Sequence, residues 1–182
     1  MSRPRRSIAV RDQAVSAFSG ALMRLCDATA SRGAALVDAE GETVDYAGCL
    51  DPFEIRVVAA EWRLVLGALT AEGEESKPGS EIYFRGSKRS FAVIAMSDGY
   101  ALVIELPRRS LRLSPRALAE AIRALSLEAG LSHHWTLARY GDERWTRVDV
   151  RWDRTRKRPS EIWLAGGWKS VEVLGRFAAA EP

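Results

Sequence analysis

Apolar residues fall on two opposite sides of the helix that the sequence predicts from Asp51 to about Leu69. Helical residues advance by about 100° each, which places seven apolar residues on one side: Ile55, Val58, Ala59, Trp62, Val65, Leu66 and Leu69. The opposite side also carries apolar or small residues: Phe53, Val57, Ala60, Leu64 and Gly67. A surface helix normally has a single apolar stripe. The second stripe therefore predicts another layer of protein over this helix.

That second layer has two possible sources. A second copy of the chain is the favoured one, because an apolar stripe left in water promotes aggregation unless another surface matches it. The alternative is a cover from the same chain, including its C-terminal residues. We therefore predict a homodimer whose contact is made by one set of residues: Phe53, Val57, Ala60, Leu64 and Gly67.

The rest of the pattern predicts the order helix, two strands, helix, three strands, helix. A one-faced helix begins near Asp12, and two short strands follow it as a hairpin around residues 39–41. Asp51 and Pro52 suit the cap and first position of the two-faced helix. Three further strands are predicted at residues 81–85, 90–96 and 100–106, and the last helix runs from Ser114 to Gly130.

The layering of these elements follows from the composition of the strands. The segments 90–96 and 100–106 are apolar at nearly every position, which is typical of strands covered on both faces. The segment 81–85 is flanked by charge and suits a sheet edge. We therefore expect an α+β fold in which the two one-faced helices share one side of the sheet and the two-faced helix lies on the other.

Composition and charge divide the chain into three predicted regions. Residues 1–11 form a basic arm, residues 12–130 a domain, and residues 131–182 a small β extension. Residues 1–130 carry 17 basic and 17 acidic side chains and the remainder 10 and 7, so the net charge of +3 lies in the extension. The chain has no apolar run of about 18 residues. We predict a cytoplasmic protein with no membrane span.

The hairpin and the helix after it resemble a known family. The sequence Arg-Gly-Ala-Ala-Leu-Val-Asp-Ala-Glu-Gly-Glu-Thr-Val begins at Arg32 and leads into the capped, two-faced helix. With the predicted order of elements, it resembles the Roadblock family over about residues 12–130. The resemblance implies a five-stranded antiparallel sheet of the Roadblock/profilin-like type, with the second helix on one face and the first and third on the other.

The resemblance also implies a function. Members of the Roadblock family typically dimerise through the second helix and the neighbouring edge strand. Bacterial and archaeal members are commonly partners of small Ras-like GTPases, and eukaryotic relatives are motor subunits and scaffolds. No catalytic motif defines the family, so we predict a non-enzymatic regulator or scaffold for a small Ras-like GTPase, with no catalytic residue of its own.

Motifs for bound nucleotide or metal are not found in the sequence. The chain has neither a Gly-x-x-x-x-Gly-Lys-Ser/Thr loop nor a Gly-x-Gly-x-x-Gly turn, so we predict no cofactor. His133 and His134 are adjacent, which directs them apart in either a helix or a strand and disfavours a shared metal ion. We predict no metal site and interpret these histidines as part of a linker.

A basic cluster between the last strand and the last helix is a candidate partner-binding site. It comprises Arg108, Arg109, Arg112 and Arg116, and the first three are the candidate contacts. Their permanent charges could contact an acidic partner, and Arg109 could stabilise a transferred phosphate as an arginine finger. A solvated loop is the favoured interpretation.

The extension is rich in tryptophan and predicts a three-stranded module. An alternative function, nucleic-acid binding, would use stacking and phosphate contacts by a basic turn and its neighbour: Arg154, Arg156, Lys157, Arg158 and Trp163. The favoured interpretation is that the tryptophans form the core of a small sheet, so we expect no nucleic-acid partner. A small-ligand sensing domain is a third possibility, without a supporting cluster of polar residues.

Overall fold

The computed structural model describes residues 11–70, 80–107, 113–140, 146–153, 155, 158–164, 167–170 and 177–179. The basic arm predicted at residues 1–11 lies outside this part of the chain except for Arg11. The helices and strands are α1 (Ala17–Thr29), β1 (Gly33–Val37), β2 (Thr43–Gly48), α2 (Pro52–Thr70), β3 (Glu81–Arg85), β4 (Ser90–Ala95), β5 (Ala101–Leu106), α3 (Pro115–Ala129), β6 (His134–Tyr140), β7 (Thr146–Asp153), β8 (Arg158–Leu164), β9 (Gly167–Ser170) and β10 (Phe177–Ala179).

The first five strands form one antiparallel sheet in the order β2-β1-β5-β4-β3. Three of its pairings are hairpins between consecutive strands, and the fourth joins β1 to β5 with Gly33 opposite Glu105. The predicted order of elements and the five-stranded antiparallel sheet are confirmed. The segment 81–85 is an edge strand, as its flanking charges predicted.

Helices cover both faces of the first sheet, as predicted. On one face, α1 and α3 pack against alternate strand residues such as Leu36, Leu102 and Ile104. On the other face, α2 buries Ile55, Ala59 and Leu66 against the intervening residues of the strands. Residues that alternate along a strand point to opposite faces, and covering both faces explains why β4 and β5 are apolar throughout.

The helix ends follow local hydrogen-bonding chemistry. Ser16 and Ser19 cap α1 reciprocally, each side chain accepting from the backbone N–H of the other. The predicted start near Asp12 is therefore wrong, because Ser16 ends the extended segment before α1 and leaves Val15 outside the helix and exposed. Ser114 caps α3, and Gly130 ends it in the left-handed conformation.

The side of α2 that faces the sheet is buried only in part. Leu66 is buried, whereas Val65 and Leu69 are exposed, with 65% of Leu69 accessible. Helical periodicity gives the side on which a residue lies, but it does not show how far the strands extend beneath the helix. Val65 and Leu69 therefore lie on the sheet side of α2 without being part of the core.

Residues after α3 form a second sheet, with strand order β10-β6-β7-β8-β9. The sequence predicted three strands here, and this number is wrong because the described residues of this region form five. The linker interpretation of His133 and His134 is also wrong for His134, which begins β6 and is buried. The strand β6 was missed because its residues do not alternate strictly between apolar and polar.

The second sheet is attached to the first domain at several places. Trp135 lies in the same buried cluster as the inner faces of α1 and α3. At the turn before β5, Asp98 accepts hydrogen bonds from the backbone N–H and the hydroxyl of Ser132 at 2.7 and 3.0 Å. Arg147 on β7 forms an ion pair with Glu81 on β3 at 2.8 Å.

Candidate functional site

The outer face of α2, defined by Phe53, Val57, Ala60, Leu64 and Gly67, lies away from the sheet. Phe53 is 74% exposed and Leu64 72% exposed, and Val57 is also exposed, whereas Ala60 and Gly67 are half-buried. Phe53, Val57 and Leu64 are large apolar side chains that lie in one row along the helix. Such a row is typical of a protein interface.

The apolar surface is wider than the sequence predicted. Val65 and Leu69 lie on the side of α2 that also carries Trp62, and Trp62 packs against Phe84 of β3 at a ring distance of 5.3 Å. Phe84 is itself exposed. Exposed apolar side chains are therefore present on the outer face of α2, at Val65 and Leu69 on its other side, and on the edge strand.

The edge strand β3 offers backbone groups as well as side chains. Among the described strands it is hydrogen-bonded to β4 alone, so its other edge is open. Ile82 and Phe84 stand opposite Val93 and Phe91 and share their face with α2. An open edge of this kind is a template for pairing with another strand.

Polar residues along the edges of α2 fix its orientation on the sheet. Arg56 binds the carboxylate of Asp12 at 2.6 and 2.7 Å, and its guanidinium lies 5.3 Å from the ring centre of Tyr46. Arg63 donates to the carbonyl of Gly99 at 3.0 Å. Because these bonds lie within the chain, α2 is held with its outer face directed to solvent.

A buried carboxylate anchors the first turn of α2. Glu105 on β5 is buried and accepts hydrogen bonds from both Arg32 and Arg89. Arg89 also donates to Glu54 of α2 at 2.7 Å. Burial lowers the pKa of Arg89, but hydrogen bonds and charge from Glu105 and Glu54 outweigh it and raise that pKa above its usual value.

Replacing Glu105 with glutamine should destabilise the fold without changing its shape. Glutamine keeps the volume of the side chain but removes the charge that two arginines share, and both arginines are partly exposed to water. We expect a loss of about 1–2 kcal/mol in the free energy of unfolding. Denaturant unfolding measures it, and Glu120→Gln, which removes an exposed ion pair with Arg116, is the matched control with less than about 0.5 kcal/mol.

The basic residues proposed as partner or nucleic-acid contacts are only partly described. Arg108, Arg109 and Arg112 lie outside the described residues. So do Arg154, Arg156 and Lys157. Arg158 and Trp163 lie on β8, where both are exposed.

An aromatic and charged cluster surrounds Trp163 on the second sheet. Its ring meets that of Trp168 at 5.5 Å, and Trp168 also contacts His133 at 5.6 Å. Arg151 lies 4.3 Å from the ring centre of Trp168 and forms an ion pair with Glu161 at 2.9 Å. The charge of Arg151 is therefore already balanced within the sheet.

The histidines do not lie in a metal-binding arrangement. Within the described ranges, no three His, Cys, Asp or Glu side chains converge as metal ligands would. His134 is buried beside Arg123 and Trp152, and burial with the charge of Arg123 lowers its pKa to about 4.

None of the helices in the described residues has the length and apolar character needed to cross a membrane.

Comparison with solved structures finds the same fold in two MglB proteins and a weaker likeness to a third protein. Myxococcus xanthus MglB is 21% identical, with a TM-score of 0.53 over 65% of this chain and 98% of that chain. The gliding protein MglB from Thermus thermophilus is 19% identical, with a TM-score of 0.51 over 68% and 96%. A Roadblock/LC7 domain from Streptomyces avermitilis is 15% identical, with a TM-score of 0.43 over 59% and 93%.

Sequence comparisons give no further match. No protein-family profile matches the chain, and no curated protein matches it. The first sheet with α1, α2 and α3 is a Roadblock-type domain in its fold. The particular structures it is similar to are those of MglB, at an identity that establishes the fold alone.

Proposed function

We propose that two copies of this chain form a homodimer through the outer face of α2 and the open edge of β3. The observation that supports this most directly is the exposure of Phe53, Val57 and Leu64 in a single row. The described strands of the second sheet lie on the side of α3, so they leave this row uncovered. A second copy would bury the same patch on both partners, as a two-fold contact requires.

We propose further that this dimer is a non-enzymatic regulator or scaffold for a small Ras-like GTPase in the cytoplasm. The support is the Roadblock-type fold together with the family resemblance, so function is argued here by analogy. Arg108, Arg109 and Arg112 remain proposed contacts to an acidic surface of that partner. Residues 12–130 would form the regulatory domain and residues 131–182 an extension of it.

Binding to purified GTPases tests this proposal. We expect the full chain to bind a small Ras-like GTPase from the same organism at least about tenfold more tightly in one nucleotide state than in the other. Biolayer interferometry with the GTPase loaded with GDP or with a non-hydrolysable GTP analogue measures the difference. The proposal would be refuted if every GTPase tested, in both nucleotide forms, bound this chain no more tightly than a GTPase from an unrelated organism does.

Nucleic-acid binding has less support. Of the basic residues on the second sheet, Arg147 and Arg151 are each engaged by a carboxylate of the same chain. Pairing of this kind reduces the positive charge that these two residues offer to phosphate groups. A ligand-sensing role is likewise weak, because a depression of about 430 Å³ lined by Arg32, Lys88, Glu105 and Leu106 contains a carboxylate that is already paired.

A further inference from the structure

We propose that the second sheet forms one wall of the surface through which two copies of this chain associate, with Arg147 and Tyr83 at the contact. This inference rests on the homodimer proposed above and extends it to a region beyond α2 and β3. The occupant of the surface is a second copy of this chain.

Arg147 connects the second sheet directly to the edge strand. Its Nη1 donates to Oε1 of Glu81 on β3 at 2.8 Å. Its guanidinium lies 4.5 Å from the ring centre of Trp135, which is buried in the core. Because a buried aromatic ring supports the arginine from behind, its charge is held against the end of β3.

The edge strand exposes an aromatic side chain on each of its two faces. Phe84 lies on the face shared with α2, whereas Glu81 and Tyr83 lie on the opposite face, near the second sheet. Both Phe84 and Tyr83 are exposed. A partner strand placed along the open edge would therefore meet an exposed aromatic side chain on both sides, with α2 flanking one and the second sheet flanking the other.

The surroundings of Tyr83 agree with this placement. Partial burial and the neighbouring charge of Glu81 raise the pKa of Tyr83 to about 12. A tyrosine is neutral at physiological pH even at its usual pKa of about 10, so Tyr83 can be buried without the cost of burying a charge. Tyrosine is also among the residues enriched in the centres of protein interfaces.

The second sheet is additional to the fold that this chain shares with MglB. The Myxococcus xanthus structure is matched over 98% of its length but accounts for 65% of this chain. The second sheet begins after α3, and we assign it to the unmatched part. The part of the association surface formed by the second sheet would thus be specific to this chain and absent from the matched MglB structure.

Arg151 provides a matched control for Arg147. It lies four residues further along β7 and so on the same face of the strand. Like Arg147, it combines an ion pair, with Glu161, and a ring contact, with Trp168. Its partners lie within the second sheet, however, and not on β3.

Sedimentation velocity of the full chain over a range of concentrations tests the proposal. We expect Arg147→Glu to raise the dissociation constant of the dimer by at least about tenfold and Arg151→Glu to change it by less than about twofold. Glu81→Arg combined with Arg147→Glu should bring the constant back to within about threefold of the parent value, since the pair is restored with reversed charges. Far-UV circular dichroism confirms that each variant is folded.

Three results would overturn the proposal. Equal effects of Arg147→Glu and Arg151→Glu would show that the change in charge acts without the contact to β3. If Arg147→Glu weakens the dimer and the added Glu81→Arg does not restore it, the effect again does not depend on the contact between Arg147 and Glu81. The third result is that Arg147→Glu leaves the dimer unchanged while Leu64→Asp dissociates it. The outer face of α2 would then be the interface, and the second sheet would not be part of it. The reverse result, with Arg147→Glu alone effective, would support this wall and refute the α2 interface.

Discussion

Leu64→Asp should convert the proposed dimer into a soluble monomer. In a single chain Leu64 is largely exposed, so an aspartate there is solvated and costs the fold little. In the dimer the same aspartate would lie in an apolar contact, where burying an unpaired charge costs several kcal/mol. We expect the dissociation constant to rise by more than about 100-fold, which corresponds to about 3 kcal/mol. Molar mass by light scattering measures the change.

Met23→Asp is the control for this substitution. Met23 is an exposed apolar residue of a helix, like Leu64, but it lies on α1, on the opposite side of the sheet. It introduces the same charge at the same kind of position, and the dimer should persist. If Leu64→Asp remains dimeric at the concentrations where the parent protein is dimeric, the outer face of α2 is not the interface.

Acidification should destabilise the protein through His134. Its pKa is about 4 in the folded protein and about 6.5 when solvated. Between these values the unfolded chain binds a proton at this residue and the folded protein does not, so stability falls as the pH falls through this window. A shift of this size corresponds to about 3 kcal/mol. Denaturant unfolding at pH 7 and pH 4, followed by tryptophan fluorescence, measures the loss.

The contribution of His134 is isolated by comparison with His134→Gln, which cannot take up this proton. Burial raises the pKa of the nearby Asp149, which has the opposite effect on stability as the pH falls. Because both proteins contain Asp149, its contribution cancels in the difference. His133→Gln is the neighbouring control and should retain most of the loss, since His133 is only half-buried. A parent protein and a His134→Gln variant with the same pH dependence would contradict the assignment.

Periodicity and end signals were enough to predict the first domain. The two apolar sides of α2, the cap at Ser114 and the ending glycine at position 130 each reflect local chemistry that the sequence carries. The strands of the second sheet were harder to predict. Trp135 of β6, for example, is buried by contacts with α3 and the first domain, and the sequence of β6 shows no alternation that would indicate this. Contacts between distant segments of this kind have no local signature.

The candidate site was likewise predictable only where local periodicity determines it. Phe53, Val57 and Leu64 could be identified because the helical period separates them from the core. Leu69 and Phe84 could not, since their exposure depends on where the sheet ends beneath α2 and on which strand forms its edge. Arg147 carries no motif either, and its importance arises only from the position of β7 next to β3.

The central pairing of β1 with β5 has a consequence for synthesis of the chain. β1 and β2 can form a hairpin early, but the strands that lie under α2 are incomplete until β5 ends at Leu106. At typical elongation rates the ribosome adds the residues between α2 and that point in about 2–7 s. During this interval both apolar sides of α2 lack their partners, so nascent chains should depend on chaperones most strongly between the emergence of α2 and that of β5.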